Sequence, residues 1–142
     1  MITSQGGINL IKQFEGCVLK PYKCQADRWT IGYGHTQGIT GNTPAINQLQ
    51  ADNFLREDLK QFEYQINSLN LVLNQNQFDA LVSLVYNIGI GTFKKSILYA
   101  MIKANPVSAN IPTEWARFKY AKGVPLLGLI KRRQKEIELY SK

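Results

Sequence analysis

The sequence predicts an α+β fold, mostly helical, with a small N-terminal β-hairpin lobe joined by one long helix to a helical C-terminal lobe. Three observations predict it. Apolar residues recur at helical spacing over most of the chain beyond residue 44. One short stretch, residues 18–33, has the composition of paired strands. The chain has 142 residues, 44% of them hydrophobic, enough for one compact domain or two small lobes sharing a core. The expected division is a single domain over 1–142, with an N-terminal lobe to about 45, a connecting helix over about 44–67 and a C-terminal lobe over about 68–142.

Residues 4–15 read as a short amphipathic helix. Ser4 suits its N-cap, and Ile8, Ile11 and Phe14 recur at spacing three. Gly16 follows where a C-terminal cap favours positive φ. Val18 to Lys23 is the first arm of a hairpin, with Pro21 suiting an edge strand. Residues 25–28 are the turn, and Trp29 to Tyr33 is the return arm. Thr43-Pro44 places a cap residue before a proline at the first helical position, and Ala51, Leu55, Leu59, Phe62 and Ile66 continue that helix to about Asn67. Asn76 is expected to cap the next helix, which buries Phe78, Leu81, Val82 and Val85 and breaks at Gly89 and Gly91. A helix over about 93–103 follows, then a loop to Pro112. Thr113 is expected to cap a short helix holding Trp115 and Phe118. The last helix is expected to bury Leu126, Ile130, the stem of Arg133, Ile137 and Tyr140.

Glu15 stands at the end of the first helix, one step past its apolar stripe. The negative end of the helix dipole and partial burial beside Phe14 both favour the protonated acid. Glycoside cleavage needs such a group. A hairpin that folds back just after Glu15 can bring Cys24, near its tip, and Thr30, on its return arm, to face the helix end. Alone, a glutamate ending a helix is most often simply solvated, and a threonine in a strand is ordinary; the constellation changes that balance. Tyr86 and Asn87 precede the glycine break and can face a cleft; equally, Tyr86 can pack and Asn87 can cap. Arg132 or Arg133 can pair with Glu15 or belong to a solvated charge run. His35, the only histidine, fits a structural hydrogen-bonding role better than a general base.

Net charge is +7 and the pI is near 9.5. Such a balance suits polyanionic surroundings: nucleic acid, anionic lipid or the acidic bacterial wall. From Ala116 onward, Arg117, Lys119, Lys122, Lys131, Arg132, Arg133, Lys135 and Lys142 face only Glu136 and Glu138. No apolar run approaches the roughly 20 residues needed to cross a membrane, so stable membrane insertion is not expected. No cationic start precedes an apolar segment, so synthesis without a signal peptide is expected. Cys17 and Cys24 are expected to be free thiols. No metal-ligand constellation, phosphate loop or hydrolase elbow is present, so no cofactor is expected.

Glu15 is followed after eight residues by Cys24 and after five more by Thr30, within Trp29-Thr30-Ile31-Gly32-Tyr33-Gly34-His35-Thr36. This pattern resembles the phage-type lysozymes of glycoside hydrolase family 24, which carry Glu, then Asp or Cys, then Thr at that spacing. Gln77 to Ser83, Tyr86-Asn87-Ile88-Gly89, Gly91-Thr92-Phe93, Ser96, Gly128-Leu129, Arg132-Arg133 and Glu136 are similar to the family's later segments. The middle position holds Cys24 where Asp is commoner, and Asp27 occupies a turn position where the pattern often has Gly. The resemblance implies the lysozyme two-lobe fold with its site between the lobes. It implies endo-hydrolysis of the β-1,4 bond between N-acetylmuramic acid and N-acetylglucosamine in peptidoglycan, and host lysis by an endolysin. Glu15, Cys24 and Thr30 are then the catalytic residues, and Tyr86 and Asn87 the substrate-binding candidates. The expected partner is peptidoglycan, with no nucleic acid, the chain monomeric, made in the host cytoplasm and acting on the wall after release. A lytic transglycosylase and a non-enzymatic cationic protein that binds membrane or nucleic acid are the competing readings.

Overall fold

The computed structural model describes residues 1–142. Helix α1 (Gln5–Glu15) opens the chain and buries Ile8, Leu10 and Ile11. Ser4 sits at its N-cap, but the hydroxyl donates to Asp79 instead of closing the helix end. The Ser4 backbone N–H donates to the same carboxylate at 3.0 Å, so the start of α1 is tied to α3 (Gln75–Ile88). Gly16 ends α1 with φ 69°, as the sequence predicts.

Strands β1 (Val18–Lys23) and β2 (Trp29–Gly32) form an antiparallel hairpin. The register pairs Val18 with Gly32, Tyr22 with Thr30 and Lys23 with Trp29, with an irregularity between Val18 and Tyr22. Pro21 lies in that irregular stretch, where a missing N–H breaks no regular ladder bond. Asp27 takes φ 59° in the turn and is exposed, which identifies it as a turn residue.

Helix α2 (Gln48–Asn67) buries Ala51, Leu55, Leu59 and Ile66. It begins at Gln48, later than the Thr43-Pro44 signal predicts. Asn47 and Gln50 form a reciprocal capping box there, and Thr43 instead accepts the Thr40 N–H at 2.9 Å within the loop. The same device starts α3: Asn74 caps it with Gln77, two residues before the expected Asn76. Gly89, at φ 87°, ends α3 and starts α4 (Ile90–Lys94). The helix expected over 93–103 is divided, because the Ser96 hydroxyl accepts the Tyr99 N–H and begins α5 (Ile97–Ala104). Helix α6 (Ile111–Trp115) is capped at Asn110 rather than Thr113, with Pro112 in its first turn.

A second hairpin, β3 (Tyr120–Ala121) with β4 (Val124–Pro125), was not expected from the sequence. Lys122 and Gly123, at φ 51° and 79°, make its turn. Helix α7 (Leu127–Tyr140) completes the chain. It buries Arg132, Arg133, Glu136 and Tyr140; Leu126, expected inside, stands exposed before its first turn.

The core is organised around α3. Every residue from Gln77 to Val85 is buried, and α1, α2 and α7 pack around this helix. Phe78, Leu81, Leu84, Phe93 and Trp115 are the bulky contributors. Gly7 marks the α1–α3 crossing: a Cβ there would lie 2.7 Å from Thr3 Cγ2 and 2.8 Å from Asp79 Cβ. At neighbouring Gly6 the nearest contact would be Ser4 Oγ at 3.6 Å.

The two glycines should therefore respond oppositely to alanine. Gly7→Ala should cost about 1–3 kcal/mol through overpacking. Gly6→Ala should be neutral or stabilise by up to about 1 kcal/mol through helix propensity. Urea unfolding of the two variants checks this, and equal effects would refute the close approach.

Candidate active site

The end of α1 carries Glu15 into a cleft of about 440 Å³ between the β1–β2 hairpin and the helices. Arg28, Gly34, Asp58, Gln61 and Tyr86 also line it. Arg132 Nη1 donates to Glu15 Oε2 across 117 residues of sequence. The Arg132 side chain is 4% exposed and that of Glu15 is 22% exposed, so an internal cation holds a carboxylate that reaches the cleft. Gly34, at φ 94°, lies opposite. A Cβ there would come within 3.5 Å of Tyr86 Oη and 4.0 Å of Glu15 Oε1. One carboxylate oxygen is thus anchored and the other faces Gly34, where only a hydrogen occupies the space of a side chain.

Arg132 is itself held from behind. Its Nε donates to Glu136 Oε2 at 3.3 Å and its Nη2 to the Ser83 carbonyl at 3.0 Å. Glu136 is fully buried. It accepts the Ser83 hydroxyl at 2.6 Å, the Trp115 indole N–H at 3.0 Å and Arg133 Nη2 at 3.1 Å. Arg133 Nη1 also donates to the Phe118 carbonyl at 3.2 Å. Burial draws Arg133 below the usual guanidinium range, and the Glu136 carboxylate opposes that shift. Of the two readings left open for these arginines, pairing with Glu15 holds for Arg132, and the solvated charge run does not extend to Arg132, Arg133 or Glu136. Arg132, Arg133 and Glu136 form an internal charge cluster, while Lys131 and Lys135 remain exposed. The expected burial of Arg133 by its stem understates its place, because its head is inside too.

Cys24 and Thr30 come together at the hairpin. Thr30 is buried and its hydroxyl donates to the Arg28 carbonyl at 2.9 Å; the Cys24 N–H donates to the same oxygen at 3.0 Å. The Cys24 thiol is lowered from its ordinary range by the Arg28 backbone N–H first, then the Thr30 hydroxyl, then the Ala26 backbone N–H. Both cysteines are free.

Tyr22 was missed by sequence reasoning. It stands across from Thr30 in the hairpin. Its phenol is pushed up by burial, then by the charges of Cys24 and Glu15, which places it in the field of both groups. The signal was its position two residues before Cys24, near the end of the strand that leads to it.

Tyr86 forms part of the cleft wall. Its hydroxyl donates to the Tyr33 carbonyl at 2.8 Å, and its ring meets Phe62 edge-on at 5.1 Å. Burial, then the charges of Glu15 and Asp58, push its phenol strongly up. Asn87 is exposed near the end of α3 and is not among the cleft-lining residues. His35 has the expected structural role. Nδ1 lies 2.8 and 2.9 Å from the two Asp58 oxygens, and the ring stacks on Phe54 at 4.1 Å. That contact pins the end of the hairpin segment to α2. Burial raises Asp58 above the usual carboxylate range, and the His35 hydrogen bond works against the rise. No group of three or more His, Cys, Asp or Glu residues has the arrangement of a metal site.

The family model for phage lysozyme matches residues 12–136. The endolysin of Acyrthosiphon pisum secondary endosymbiont phage 1 is 43% identical over 144 residues, covering 99% of this chain and 98% of that protein. The endolysin of Bacillus phage PZA is 40% identical and 99% of this chain aligns, but the match spans only 55% of its length. Among solved structures, the muramidase domain of SpmX from Asticaccaulis excentricus superposes with TM-score 0.90 at 34% identity, covering 98% of this chain and 97% of that one. A P22 lysozyme mutant gives TM-score 0.89 at 34% identity, with coverage of 100% and 99%.

Two outcomes follow from the geometry. Glu136→Gln should destabilise the protein by about 3–5 kcal/mol, because Arg132 and Arg133 lose their internal counter-charge. A loss below about 1 kcal/mol in urea unfolding would contradict the internal cluster. The alkylation rate of Cys24 should rise with pH to a midpoint below that of a free, unpartnered cysteine thiol. Thr30→Val should move that midpoint upward, since it removes one of the groups that stabilise the thiolate. An unchanged midpoint would show that Thr30 does not act on the sulfur.

Proposed function

The chain belongs to the phage lysozyme family and is an endolysin-type muramidase acting on bacterial peptidoglycan; from that premise we propose that Glu15 is its general acid. The observation that supports this is the asymmetric carboxylate, with Oε2 held by buried Arg132 and Oε1 facing the open cleft beside Gly34. A general acid has to reach the leaving oxygen with one defined atom, and a fixed anchor on the other oxygen supplies that definition. The bond cleaved is the β-1,4 linkage between N-acetylmuramic acid and N-acetylglucosamine.

In this reading Glu15 protonates the glycosidic oxygen as the bond breaks, leaving oxocarbenium character on the anomeric carbon. Cys24 lies in the family position most often held by Asp. Its thiol, backed by Thr30 and the Arg28 and Ala26 N–H groups, is shifted toward the thiolate. It orients a water on the opposite face of the sugar and accepts its proton. Thr30 fixes the turn through the Arg28 carbonyl, and its one hydroxyl proton serves either that oxygen or the Cys24 sulfur. Tyr86 presents the cleft wall to the glycan, and Asn87 takes an N-acetyl group of a chain that extends past the end of α3. Arg132 is a positioning residue that acts through Glu15.

The wider reading is a monomer whose two lobes work as one domain over 1–142, with peptidoglycan and not nucleic acid as its partner. It is made in the host cytoplasm and acts on the wall after release. It does not insert stably in a membrane, and no helix is long and apolar enough to cross one.

Clearing of purified peptidoglycan tests the assignment. Glu15→Gln keeps the shape, loses the transferable proton and should reduce the rate by about 10²–10⁴-fold. Retention of more than about a tenth of wild-type activity in a folded variant would remove Glu15 from the role. Released fragments should carry reducing ends; anhydro-muramic ends would indicate a transglycosylase.

A further inference from the structure

Residues 122–128, Lys-Gly-Val-Pro-Leu-Leu-Gly, are exposed without interruption. They run from the β3–β4 turn into the first residues of α7. Val124 is 57% exposed, Leu126 44% and Leu127 65%, and Tyr120 on the other strand is 56% exposed. The register pairs Tyr120 with Pro125 and Ala121 with Val124, so Tyr120 and Val124 point to opposite faces of the ribbon. Both are in solvent, and the hairpin packs extensively on no other element. A two-stranded ribbon gains little stability by itself in water. Here successive left-handed residues, Lys122 and Gly123, shape the turn, and the Leu126 N–H closes the base on the Lys119 carbonyl at 3.0 Å. The sequence thus holds an apolar tip away from the body of the protein.

Cations surround that tip. Lys119 lies 5.7 Å from the Tyr120 ring centroid, Lys122 is in the turn, and Lys131 is exposed one turn into α7. Arg117 is 70% exposed and meets Glu114 only at 3.6 Å. No Asp or Glu occurs between Glu114 and Glu136. We propose that the β3–β4 tip, with Leu126 and Leu127, docks this protein peripherally on an anionic phospholipid surface. The aliphatic side chains enter the boundary between headgroups and acyl chains, Tyr120 sits at headgroup level, and the lysines meet lipid phosphates. Charge complementarity selects this occupant. A second copy would bring the same cations together. A glycan or a nucleic acid presents polar and stacking surfaces that Val124, Leu126 and Leu127 do not match. This docking stands apart from the hydrolytic site, and its failure would leave that assignment untouched.

Cosedimentation tests it, with vesicles of phosphatidylglycerol and phosphatidylcholine in equal parts against phosphatidylcholine alone, at about 0.15 M salt. Wild-type protein should bind only the anionic vesicles. Val124→Asn with Leu127→Asn should weaken binding at least about tenfold, since two exposed apolar groups lose their transfer into lipid. Lys122→Gln with Lys131→Gln should also weaken it and flatten its salt dependence. Both variants should keep the wild-type rate on a short soluble glycan. If the asparagine pair unfolds, Leu127→Asn alone should still weaken binding severalfold. The proposal is overturned if wild type ignores anionic vesicles, or if the asparagine variants bind them as wild type does, which leaves only general positive charge. It is also overturned if those variants lose purified peptidoglycan, self-association or glycan hydrolysis in place of vesicle binding.

Discussion

The buried carboxylate of Glu136 is the constraint on which the rest of the site depends. Two guanidinium groups inside a protein are costly, and Glu136 offsets their charge while Ser83 and Trp115 satisfy its oxygens. The contributors come from three helices: Ser83 from α3, Trp115 from α6 and the arginines, with Glu136 itself, from α7. The cluster therefore fixes how those helices meet. Its outermost member, Arg132, ends the chain of contacts at Glu15. The position of the Glu15 carboxylate follows from packing two layers below it.

Local parts of this arrangement were legible in the sequence. Glu15, Cys24 and Thr30 lie within one helix end and one hairpin, so spacing alone relates them, and Gly16 and the β1–β2 turn are where their residue types place them. The connecting helix and the apolar face of α3 were equally plain from periodicity. The errors at helix starts share one cause. Thr43-Pro44 and Asn76 are good signals, but Asn47 with Gln50 and Asn74 with Gln77 satisfy two N–H groups reciprocally and win. The Ser96 cap divided a helix that periodicity joined, because hydrophobic spacing continues across a change of axis.

The internal charges were not legible for a different reason. Arg132, Arg133 and Glu136 are three or four residues apart, the spacing of an exposed ion-pair ladder, and nothing local distinguishes that from a buried one. The available hint was Ser83, a hydroxyl in the middle of nine consecutive buried residues of α3, which requires a partner. The β3–β4 hairpin was missed because strands of two residues carry no periodicity, although Lys122-Gly123 is a turn signal.

Glu15 and Arg132 are separated by 117 residues along the chain. Translation at about 5–20 residues per second leaves roughly 6–23 seconds between the synthesis of one and of the other. During that interval the Glu15 carboxylate exists without its anchor, and α7, which completes the charge cluster, is still unmade. A nascent chain that stops short of α7 carries the hairpin motif intact but leaves the Glu15 carboxylate without its anchor. Orientation of the Glu15 carboxylate is thus a late event in the synthesis of this segment, set by the arrival of α7.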